Sequence, residues 1–140
     1  MAEKITVMKG LEQGRANFSY EKVMEAKNKL GDKASEYKSY VKKAPMLIKT
    51  NGLGATLAFI KAKGKDNKAK AWSLIYQQVS EWIEKDSKNL VNTGGEDLVK
   101  IIVSLETPDY RALTNEMLAL FNWLRRFAEG LIEDAAKGDE

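Results

Sequence analysis

From Tyr110 to Ile132 an apolar residue returns every three or four positions without a break. Tyr110, Leu113, Met117, Leu120, Leu124, Phe127 and Leu131 keep a seven-residue alternation, and Phe121, Ala128 and Ile132 widen the stripe. At about 3.6 residues per turn these side chains share one broad helical face, whereas a strand would scatter them over both faces. A face this wide is buried on more than one side. The run therefore predicts a long C-terminal helix at the centre of an all-α bundle.

The rest of the chain agrees with that class. Ile5, Met8, Leu11, Ala16, Phe18, Val23, Ala26 and Leu30 define a first helix from about residue 2 to 30, closed by Gly31. A second, with Asp32 as its expected cap, carries Tyr37, Tyr40 and Val41 and is expected to stop or kink before Pro45, which can itself open a short segment, PMLIKT. Leu53, Leu57 and Ile60 mark a third helix after Asn51-Gly52, running out into the polar AKGKDNK linker. Trp72, Ile75, Tyr76, Val79, Trp82 and Ile83 mark a fourth from Lys68 to Lys85. Thr93-Gly-Gly-Glu96 has capping-box spacing ahead of Leu98, Ile101, Ile102 and Leu105, and Thr107-Pro108-Asp109 offers cap, proline and acid for the last helix. No strand pattern or internal repeat competes. The expectation is one helical domain over residues 1–140 with about five to six helices, its last residues, from about 134, a frayed acidic tail.

Composition removes most enzyme chemistry. The 140 residues include no cysteine and no histidine, so thiol nucleophiles, zinc fingers, Ser-His-Asp triads and histidine bases are excluded. No acidic loop of the metal-binding kind is present, and a non-enzyme without metal or cofactor is expected. No apolar run approaches the ~18 residues that cross a bilayer, which suggests a soluble, cytoplasmic protein.

The net charge of +3 is unevenly spread: Lys38 to Lys70 holds nine lysines against the single acid Asp66, while Glu129, Glu133, Asp134, Asp139 and Glu140 face Lys137 at the end of the chain. A local basic field suits a polyanion. Lys42, Lys43, Lys49, Lys61, Lys63, Lys65, Lys68 and Lys70 are candidate contacts, although lysines also serve simply to solvate helix surfaces. On the last helix Arg111, Asn115, Asn122 and Arg126 share a narrow polar strip; guanidinium binds phosphate bidentately and amides offer donors and acceptors to phosphate and sugar. GLGATL, Gly52 to Leu57, lacks the third small residue of a dinucleotide fingerprint, and no Gly-Lys-Ser/Thr follows. Close backbone packing is the preferred reading of Gly52 and Gly54, with free N–H groups facing an anion as the other. Arg15 lies within the apolar face of the first helix and needs a partner there. Glu116, at the margin of the last helix, is the expected one, ahead of a ligand. Trp72 and Trp82 accompany apolar stripes and are expected in the core; Trp123 lies at the edge of its stripe.

Three segments in order, LEQGRANFSYEKV (Leu11 to Val23), IKTNGLGATLAFIKAKGK (Ile48 to Lys65) and YRALTNEMLALFNWLRRFAEGLI (Tyr110 to Ile132), resemble the small helical subunit of the type III-B CRISPR effector, the Cmr complex, over nearly the whole chain. The resemblance implies a non-catalytic RNA-binding subunit of an antiviral ribonucleoprotein. Such a subunit stacks as several copies, contacts the backbone filament and large subunit that accompany CRISPR RNA, and lines the groove for target RNA and the guide–target duplex. Two other readings stay open: a pure assembly spacer, and a helix-turn-helix DNA binder with Leu53 to Lys63 as reader, a helix that lacks Arg, Asn or Gln for base edges.

Overall fold

The computed structural model describes residues 2–65, 70–85 and 97–134, with side chains from residue 13 onward and excepting Lys85. Its helices are α1 (Ala2–Leu30), α2 (Ala34–Asn51), α3 (Leu53–Gly64), α4 (Lys70–Lys85), α5 (Leu98–Val103) and α6 (Thr107–Leu131), with a 3₁₀ turn at Gly31–Lys33 between the first two. Among the described residues there is no strand. The capping box at Thr93–Glu96, Lys68 and most of the acidic tail lie outside them.

The seven-residue stripe of α6 is its buried face: Leu113, Met117, Leu120, Phe121, Leu124 and Ala128 are buried. They pack on α1 and α2, while α2 also packs on α1, α3 and α4. Val23 and Ala26 from α1, Tyr37, Val41, Ala44 and Ile48 from α2, Leu53, Leu57 and Ile60 from α3, and Ile75 and Val79 from α4 complete the core. Trp72 is 5% exposed, its ring stacked on Tyr40 at 4.0 Å. Trp82 is half-buried against Phe18, with ring centroids 4.9 Å apart.

Three local expectations need correction. First, α2 does not stop before Pro45, and no separate segment opens there: it continues as one helix to Asn51. Proline deletes the hydrogen bond to the Val41 carbonyl and costs ~3 kcal/mol in an unsupported helix. Here Val41, Ala44 and Ile48 on either side of it are all buried, so packing outweighs the lost bond. Second, α2 begins at Ala34 after Lys33, with no side-chain cap; Asp32 belongs to the preceding 3₁₀ turn, and its backbone carbonyl accepts from Ser35 Oγ at 3.4 Å. Third, the residue preceding α6 is Glu106, whose carbonyl accepts from Tyr110 N–H at 2.9 Å; Thr107 is already helical.

A single residue joins α2 to α3. Gly52 has φ 90° and ψ 159°, a region open essentially to glycine alone. Its N–H donates to the Ile48 carbonyl at 2.9 Å, and its carbonyl accepts from the N–H and Oγ1 of Thr56 at 3.1 and 2.8 Å.

Two polar networks sit inside this bundle. Arg15 binds Glu116 through both nitrogens of a bidentate fork, Nε to Oε2 at 2.7 Å and Nη2 to Oε1 at 2.8 Å, and Trp82 Nε1 donates to the same Oε2 at 3.0 Å. The pairing expected from helix phase is present. Between α1, α2 and α4, the fully buried Gln78 accepts from Tyr37 Oη at 2.6 Å and donates to the Lys22 carbonyl at 2.9 Å and to Glu25 Oε1 at 3.2 Å. Burial, then the Glu25 charge, pushes the Tyr37 hydroxyl far above the ordinary tyrosine range against the opposing Gln78 bond, so it stays protonated and donating.

Candidate nucleic-acid interface

An outward strip of α2 and the neighbouring face of α6 form a shallow groove of about 580 Å³. Lys42, Pro45, Met46 and Lys49 recur at three and four along α2 and so share one face; Leu118, Ala119, Asn122 and Arg125 do the same on α6. No acid lines it. Lys42 and Lys49 are two helical turns apart, about 10.5 Å along the axis. Across from them Arg125 Nη2 donates to Asn122 Oδ1 at 3.1 Å, which holds the guanidinium in one orientation. A second depression continues along α2 through Lys42 and Met46 to Lys43 and Ser39, ending where Lys38 binds Asp134 at 2.9 Å.

The other candidates are divided by the fold. Lys61 Nζ is 2.6 Å from Asp97 Oδ2, and Asp97 Oδ1 accepts from Tyr76 Oη at 3.1 Å, so Lys61 already has an anion. Lys63 lies 5.7 Å from the Phe59 ring centroid; Lys65 and Lys70 are exposed at the α3–α4 end. Arg111 and Asn115 are exposed near the start of α6, outside the groove. Arg126 points the other way and covers Trp123 at 5.8 Å, in a half-exposed aromatic row that continues through Phe127 to Tyr20. Arg15 is held by Glu116.

Gly52 and Gly54 face Tyr110 rather than open space. The Gly54 N–H donates to Tyr110 Oη at 2.8 Å, and a Cβ at Gly54 would lie 3.1 Å from Val103 Cγ1. The donor a phosphate would need is therefore used. The helix-turn-helix geometry is also absent: a one-residue link joins α2 and α3, and Leu53, Gly54, Thr56, Leu57 and Ile60 of the would-be reader are buried.

Arg125 and Met46 escape the sequence reading. Helix phase favours Arg126 within the Arg-Arg pair, although the spacing of Arg125, three from Asn122 and seven from Leu118, is a usable signal.

The Lys61–Asp97–Tyr76 cluster sets a pH-dependent tie between α3, α4 and the start of α5. The Lys61 ammonium, against burial and with help from Tyr76, holds the Asp97 carboxyl below its ordinary value. Burial first, then the bond to Asp97, pushes Tyr76 up to about 12. A depressed carboxylate pKa contributes stability above the ordinary Asp value of about 4 and loses it as pH falls through the folded-state value. The Tm gap between wild type and Asp97→Asn should be constant from about pH 6 to 8 and close in acid. A gap that persists at about pH 2 would assign the stabilisation elsewhere.

Fold and groove define a class: a small all-α bundle with a cationic surface groove and, among the described residues, no His/Cys/Asp/Glu group able to hold a metal and no helix long and apolar enough to cross a membrane. Within that class, residues 11–131 match the model of the CRISPR-associated protein family Cas_Cmr5, and the chain belongs to that family. The CRISPR system Cmr subunit Cmr5 of Thermus thermophilus is 34% identical over 119 residues, covering 85% of this chain and 93% of the relative. The crystal structure of a CRISPR-associated Cmr5 family protein from the same organism superposes with a TM-score of 0.67 at 31% identity, covering 88% of this chain and 97% of that one.

Proposed function

We propose that this protein is the non-catalytic small subunit of a cytoplasmic type III-B CRISPR ribonucleoprotein, where several copies stack beside the other Cmr subunits and present the α2–α6 groove to target RNA. The observation that carries the reading is the acid-free meeting of Lys42, Lys49 and Arg125 across two helices. Among the described residues none of the three has a carboxylate partner, whereas Lys22, Lys29, Lys38 and Lys61 all do. Cations left without carboxylates on one strip neutralise phosphates without reading bases, which suits a particle whose sequence specificity comes from guide pairing.

The test is target-RNA affinity of a guide-loaded Cmr particle rebuilt with wild type or with Lys42→Ala/Lys49→Ala/Arg125→Ala, at two salt concentrations. The triple variant should join the particle and bind RNA about tenfold more weakly. Its log–log salt slope should be shallower by about 2 for each copy on the RNA, since each phosphate contact on a single strand contributes about 0.7. A variant that joins and binds RNA like wild type would make the protein an assembly spacer.

A further inference from the structure

Pure phosphate neutralisation needs no apolar surface, yet the floor of the α2–α6 groove is Pro45, Met46, Leu118 and Ala119. Met46 is 64% exposed, the most exposed of the large apolar side chains described. It lines both the groove and the depression that continues it, so the thioether stands midway along the cationic strip, four residues after Lys42 and three before Lys49. A duplex keeps its base faces stacked inside and offers this surface phosphates, hydroxyls and polar base edges, none of them an apolar face. An unpaired strand can turn its bases inward while its phosphates reach the cations on the rim. A flexible, polarizable thioether suits whichever base arrives.

We infer that the groove takes single-stranded RNA, with one or more unpaired bases laid on the Met46–Leu118 floor between Lys42, Lys49 and Arg125, in preference to the guide–target duplex. The inference rests on the RNA-binding reading above and narrows its ligand.

The experiment uses the full chain at about 50 mM salt and fluorescence anisotropy with three labelled probes: an oligouridylate of about 12 nucleotides, an abasic ribose-phosphate oligomer of equal length, and a blunt RNA duplex. Met46→Ser, at an exposed position, should fold normally. Wild type should bind the oligouridylate tighter than either other probe. Met46→Ser should lower that affinity about fivefold, the order expected from losing partial burial of one apolar side chain, with the drop confined to the base-bearing probe and the salt slope unchanged. The triple cation variant should weaken binding of all three. If Met46→Ser binds oligouridylate like wild type, or if wild type prefers the duplex or the abasic oligomer, while the triple variant still weakens binding, the groove is a phosphate track: the inference fails and the RNA reading stands. If wild type binds no probe, the inference fails; if it binds but the triple variant matches it on every probe, the groove is no RNA site, its apolar floor is left to a protein partner, and both readings fail.

Discussion

Replacing Arg15 by methionine should destabilise the protein by about 3–5 kcal/mol, the cost of removing one partner from a buried ion pair. The asymmetry of the pair makes the effect large. The Arg15 side chain keeps 17% exposure, but that of Glu116 keeps 1%, so the carboxylate left behind cannot reach water without displacing α1. Trp82 would still donate to it, but a neutral donor does not replace the charge and bidentate geometry of a guanidinium. For a chain of this size the expected loss lowers Tm by roughly 10 °C or more. The double variant Arg15→Met/Glu116→Leu should recover most of the loss, because an apolar pair of similar volume is often no worse than the ion pair it replaces. Chemical denaturation of the three proteins measures this directly. An Arg15→Met protein as stable as wild type would mean that Glu116 is satisfied without it.

Gln78→Leu should cost about 2–4 kcal/mol, although leucine fits the apolar surroundings and has nearly the same volume. The penalty lies in what the amide leaves behind: the Tyr37 hydroxyl loses its acceptor, and the Lys22 carbonyl and Glu25 lose a donor. Tyr37→Phe/Gln78→Leu should be more stable than Gln78→Leu alone, since it removes the stranded hydroxyl with the amide. If adding Tyr37→Phe destabilises further, the hydroxyl has another acceptor and the network is wired differently.

The apolar periodicity of each helix was readable from the sequence, although the caps of α2 and α6 were not. The α6 stripe follows from spacing alone, and Arg15 with Glu116 follows because each interrupts or borders a well-phased apolar face. Apart from that pair, what depended on how helices sit beside one another was not readable. The charge strip on α6 included Arg126 and omitted Arg125, because only the neighbouring α2 decides which side of that strip meets Lys42 and Lys49. The engagement of Lys61 by Asp97, 36 residues away, leaves no local trace either. Pro45 misled for a related reason: its local cost is real, and the packing that offsets it comes from other elements.

The Gly52 link also bears on which changes of chain length the protein can accept. With only one residue between α2 and α3, and with both of its backbone polar groups bonded to the flanking turns, an added residue has no loop in which to disappear. It would be taken up by α3, rotating every later side chain by about 100° around the helix axis. Leu57 and Ile60 would leave the core, and exposed residues such as Ala55 and Phe59 would face inward. In descendants of this sequence, insertions and deletions are therefore expected to avoid this junction, so that the spacing from Lys49 to Leu57 stays constant while its residues drift.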